Sequence, residues 1–129
     1  SEYAFAQKIA YAKMVNKRGE VVEPTAQSIS AAASGEIPAD TRTSITNSDA
    51  PGAYPIATFT WMIIYKEQNY SNRTLEQAAA TLDLLKYILS DDAQKMTSEV
   101  HYAPLPAKAK ELSLANMKSV TYNGETILK

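Results

Sequence analysis

Few side chains in this sequence could do chemistry, and those few are badly placed for it. The one histidine, His101, lies in His101-Tyr102-Ala103-Pro104-Leu105-Pro106. A histidine can activate a nucleophile, but the pair needs hydrogen-bond reach and a third group to orient the ring. To ligate a metal from a helix, it would need carboxylates three or four positions away, and positions 97, 98, 104 and 105 carry none. His101 therefore reads as a loop histidine, solvent-facing or locally bonded. Asp91 and Asp92 are adjacent carboxylates of the kind used in acid–base work. They follow Ser90, so they are expected in a first helical turn, where the helix dipole accounts for them.

Anion-binding motifs are missing as well. Neither GxxxxGK[ST] nor GxGxxG occurs. Ser34-Gly35 is expected at a helix C-terminus, the wrong end of the dipole to cradle an anion. Lys108, Lys110 and Lys118 dot a helix face that solvent would cover, and Trp61 is expected in the core. With no cysteine, disulfides, thiolate nucleophiles and Cys-ligated zinc are excluded. The residues thus assign no catalytic, phosphate-binding or metal-ligating position and no cofactor. An enzyme reading would need a turnover that His101→Ala abolishes.

The elements that would position a site are mixed. One or two helical turns are expected over 3–8, then a strand over 9–16. Lys17-Arg18-Gly19 turns the chain into a second strand, Glu20–Glu23. Pro24 reads as the N1 residue of a helix with Ala26, Ile29 and Ala33 on one face, closed by Gly35 in the left-handed region. Residues 36–53 read as a connection holding one short strand, Thr43–Thr46. From Ile56 to Tyr65, eight of ten residues are apolar, which predicts an interior strand. Thr74-Leu75-Glu76-Gln77 is a capping box, and Ala78, Leu82, Leu85 and Leu89 form the apolar stripe behind it. Ser90 caps a second helix to about Val100, and two prolines keep 101–106 out of a helix. A last helix spans about 107–118, and Asn123-Gly124 turns a final hairpin. The class is α/β.

Bulk composition fits one folded domain: 129 residues, 45% hydrophobic and 21% charged. Thirteen basic against fourteen acidic residues leave a formal charge of −1, so no nucleic-acid partner is expected. No apolar run approaches the roughly 18 residues that cross a bilayer. Ser1-Glu2-Tyr3 opens without a basic and then apolar leader, so no signal peptide is expected within the sequence. Asn69-Tyr70-Ser71 and Asn72-Arg73-Thr74 match the glycosylation sequon and are taken as chance matches.

Three blocks in order carry a resemblance: "NKRGEVVEPT", "AYPIATFTWMIIYKEQ" and "HYAPLP". Together they are similar to the C-terminal part of PstS-type phosphate-binding proteins, the receptors of phosphate ABC transporters. The resemblance implies a two-lobe periplasmic-binding-protein (type II) fold, a mixed sheet flanked by helices, incomplete in this chain. It implies that residues 1–50 belong to the second lobe, 51–57 cross between lobes, and 58–129 return to the first. The family's phosphate ligands lie on N-terminal loops and on a Ser-Gly-Thr-type segment absent here, so no phosphate-binding residue carries over.

The implied function is solute binding for phosphate uptake, in the periplasm or at the cell surface. The implied partners are inorganic phosphate (only with the N-terminal half), a companion N-terminal segment or a second copy, and a membrane permease. The alternative is a non-enzymatic interaction or assembly module with no small ligand. Either way, the apolar run needs cover on both faces, and this sequence has too few elements to supply it. An exposed apolar patch and a bare sheet edge are therefore expected.

Overall fold

Gly19, at φ +80, closes the first hairpin, because its missing side chain lets the backbone enter the left-handed region there. The strands on either side are β1 (Met14–Val15) and β2 (Val21–Val22), paired antiparallel with Met14 opposite Val22. The computed structural model describes residues 2–128; Ser1 and Lys129 lie outside the described residues. Helix α1 (Glu2–Ala6) precedes the hairpin. The strand expected over 9–16 shrinks to two residues, since Ile9–Lys13 is exposed and faces no neighbouring strand.

Helix α2 spans Ala26–Ala32, with Thr25 as N-cap and a reciprocal Thr25–Ser28 box. Pro24 therefore stands one residue outside the cap rather than at N1. Gly35 is not left-handed either; the helix ends at Ala33, φ −91, and Ser34 ties back to the Ala31 carbonyl at 2.8 Å. Ala26 is exposed, and the buried face carries Ser28 and Ala32 instead. No strand forms at Thr43–Thr46, though Ile45 is buried.

Helices α3 (Leu75–Ile88), α4 (Asp91–Met96) and α5 (Ala107–Met117) follow, with a 3₁₀ turn at Thr97–Val100. The Thr74–Gln77 capping box and the Ser90 cap form as the sequence predicts. Strands β3 (Thr121–Tyr122) and β4 (Glu125–Thr126) make the last hairpin, with Asn123 at φ +53 and Gly124 at φ +80. Positive φ at both central residues matches the right-handed twist of the flanking strands.

Two separate cores result. The first gathers Ala32, Ala33, Ile45, Ala53 and Ala57, with Phe59 packed against it. The second gathers Leu82, Met117 and Val120, with Leu85, Leu89 and Ile64 packed against it. The run expected to be an interior strand connects them and forms no ladder. Helices and small antiparallel sheets make the chain mixed α/β.

Candidate functional site

The residues singled out in the sequence do not converge. His101 sits past the 3₁₀ turn at φ +58, exposed, beside a cleft of about 210 Å³ shared with Tyr11, Thr25, Ser98 and Tyr102. Asp91 and Asp92 occupy the first turn of α4. The Lys110 ammonium holds the Asp91 carboxyl below its usual range, and Lys95 pairs with Asp92 at 3.3 Å. Ser34-Gly35 lies beyond the C-terminal end of α2. Lys108 pairs with Glu111 at 3.2 Å, and Lys118 is exposed. Among the described residues, no three His, Cys, Asp or Glu side chains gather as a metal site. No helix among them is long and apolar enough to cross a membrane.

The most organised polar constellation is one that reading the sequence overlooked. Glu67 ends the apolar run, and its carboxylate accepts four hydrogen bonds. Oε1 takes the N–H groups of Asn69 (2.9 Å) and Asn123 (3.0 Å). Oε2 takes the Gly124 N–H (3.0 Å) and the Thr121 hydroxyl (2.9 Å). These donors favour the ionised form and bring its pKa down to about 2, the Asn69 amide being the largest cause and Gly124 the next. A carboxylate so saturated is a poor proton acceptor. Its work is to fix the β3–β4 turn to the end of the run. The signal in the sequence was the abrupt Lys66-Glu67-Gln68 stop, but its partners lie more than fifty residues further on.

Backbone bonds continue the clamp. Thr121 N–H donates to the Lys66 carbonyl and Gln68 N–H to the Thr121 carbonyl, both at 2.8 Å, making a parallel bridge between Glu67 and Thr121. Gln68 is 1% exposed; its amide donates to the Tyr65 carbonyl, while its Oε1 has no partner among the described residues.

Upstream of that bridge the pairing stops. From Thr60 to Ile64 no backbone–backbone hydrogen bond forms among the described residues. The side chains are as open as the backbone: Ile63 is 93% exposed, and Met62 and Tyr65 are also exposed. Trp61, expected in the core, is 45% exposed and touches Phe59 edge to face at 5.7 Å. The reason is that β3 meets the run only at its last residues, so no second strand lies beside 60–64. The apolar surface expected of an uncovered strand is present.

No protein-family model matches the chain. Over 107 residues, 81% of this chain, it is 35% identical to the phosphate-binding protein PstS of Xylella fastidiosa strain Temecula1. It is 32% identical over 126 residues, 87% of this chain, to the phosphate-binding protein PstS of Methanocaldococcus jannaschii. The matches cover 28% and 31% of these relatives, so the chain spans less than a third of the length of each. The three ordered blocks thus carried a true relationship, and the chain is PstS-like, related to PstS phosphate-binding proteins along about four-fifths of its own length.

Proposed function

We propose that this chain is part of a solute-binding protein for phosphate uptake and contributes the support of the site rather than its ligands. The observation that carries the reading is its 32–35% identity to relatives named for phosphate binding. In this reading the phosphate ligands lie in the two-thirds or so of the relatives' length that the chain does not span. The described cations support that division, because most are engaged in exposed pairs: Lys13–Glu23, Lys17–Asp49, Arg42–Asp40, Lys95–Asp92 and Lys108–Glu111. Arg73 reaches only neutral groups, donating to the Tyr70 hydroxyl, the Gln77 carbonyl and the Thr81 hydroxyl.

The protein works outside the cytoplasm, in the periplasm or at the cell surface, and hands phosphate to a membrane permease without chemistry of its own. Residues 1–50 belong to one lobe, 51–57 cross, and 58–129 belong to the other. Two separate cores, joined through the run, support such a division. Native mass spectrometry with and without inorganic phosphate tests the reading. The chain alone is expected to show no adduct, and its assembly with the remaining family segment to gain one phosphate. An assembly that forms but never takes up phosphate would favour the alternative, a non-enzymatic interaction module.

A further inference from the structure

From Thr60 to Ile64 the chain offers unpaired backbone donors and acceptors beside large exposed apolar side chains. Water satisfies such a backbone, but Trp61, Met62, Ile63 and Tyr65 together make an apolar patch that soluble monomers seldom leave open. The total accessible surface is 8880 Å². A compact monomer of this mass, 14.1 kDa, exposes about 6,700 Å². The surplus of about 2,000 Å² exceeds the roughly 800 Å² that one partner buries in a standard interface. A small peptide ligand or a glancing contact does not account for it.

We propose that residues 58–65 form a vacant strand position that takes an extended apolar segment from the part of the PstS-like sequence outside this chain. The identity of that occupant rests on the family relationship above. Two observations on the page select it. The relatives continue for more than twice the length matched here, so the sequence that would cover the run exists in them. The run is also already started as a strand, because the Glu67–Thr121 bridge pairs its end in parallel and the clamp fixes that end to β3. The open stretch lies directly upstream of that pairing. Main-chain bonds supply the affinity of such strand addition, and alternate side-chain contacts supply its register.

The test uses the whole chain and overlapping synthetic peptides covering the unmatched part of the Xylella fastidiosa relative, read by hydrogen exchange without phosphate. Peptides rich in β-branched residues are expected to slow exchange at residues 60–64 by roughly two orders of magnitude, as amides of a paired strand do. Ile63→Pro removes one donor at an exposed position and should abolish that protection while the free chain melts as before. Ile63→Ser, which keeps the donor, should retain it in part. No protected peptide, equal protection in Ile63→Pro, or protection of the chain by a second copy of itself would each overturn the proposal. Since phosphate is absent throughout, strand docking that survives a failure to bind phosphate sinks only the functional reading.

Discussion

Glu67 illustrates how one side chain can hold distant segments at a point where no sheet does so. Its four donors come from Asn69 and from Thr121, Asn123 and Gly124, so removing the carboxylate frees the last hairpin from the run. Because its folded pKa, about 2, lies below the unfolded 4.5, its stabilisation is complete above pH 4.5. That contribution fades as pH falls from 4.5 towards 2. Glu67→Gln should therefore melt lower than the parent at neutral pH, with the gap narrowing on acidification, and thermal melts across pH 2–7 check this. A constant gap would mean that the charge is not what the hairpin needs.

Asn16 performs the matching task in the first half. It is 5% exposed, donates to Glu20 Oε2 (2.8 Å) and the Ala53 carbonyl (3.2 Å), and accepts from the Arg18 and Glu20 amides. Asn16→Ala should cost about 1–3 kcal/mol in a denaturant titration, since it leaves buried partners unmet.

At the scale of elements, α3 is the part whose order is most locally encoded. Thr74 and Gln77 satisfy each other's end of the helix, and Ala78 and Leu82 are fully buried on its inner face. Thr74→Ala should lower stability by about 1 kcal/mol. Leu82→Ala should lower it by about 2–5 kcal/mol, because Met117 and Val120 cannot close over the space. Equal losses in the two variants would mean that capping, not the second core, limits the fold. The exposed ion pairs on these helices, such as Lys108–Glu111, add little by comparison.

At the scale of the whole molecule the balance is between two small cores and a long exposed connection. An apolar dye should bind the free chain, and Ile63→Lys should reduce that binding without shifting the melt by more than about 0.5 kcal/mol, as befits a surface position. Unchanged fluorescence in Ile63→Lys would place the sticky surface elsewhere, for instance at the exposed Leu84 and Tyr87 of α3. Concentration-dependent sedimentation should follow the dye, falling in the same variant.

Local chemistry in the sequence determined the helices and turns. Thr74, Ser90, Gly19 and Asn123-Gly124 act within a few residues of themselves, and each does what its type and spacing require. The ordered blocks also carried the family, because they sample backbone turns and an apolar run that relatives share. The strands were another matter. Ile9–Lys13, Thr43–Thr46 and Ile56–Tyr65 all have strand composition, yet none is a ladder, since a strand exists only where a neighbour supplies hydrogen bonds. The Glu67 clamp was hidden for the same reason: its meaning depends on residues more than fifty positions away. Propensity travels with the sequence, whereas pairing is decided by which segments the tertiary structure brings side by side.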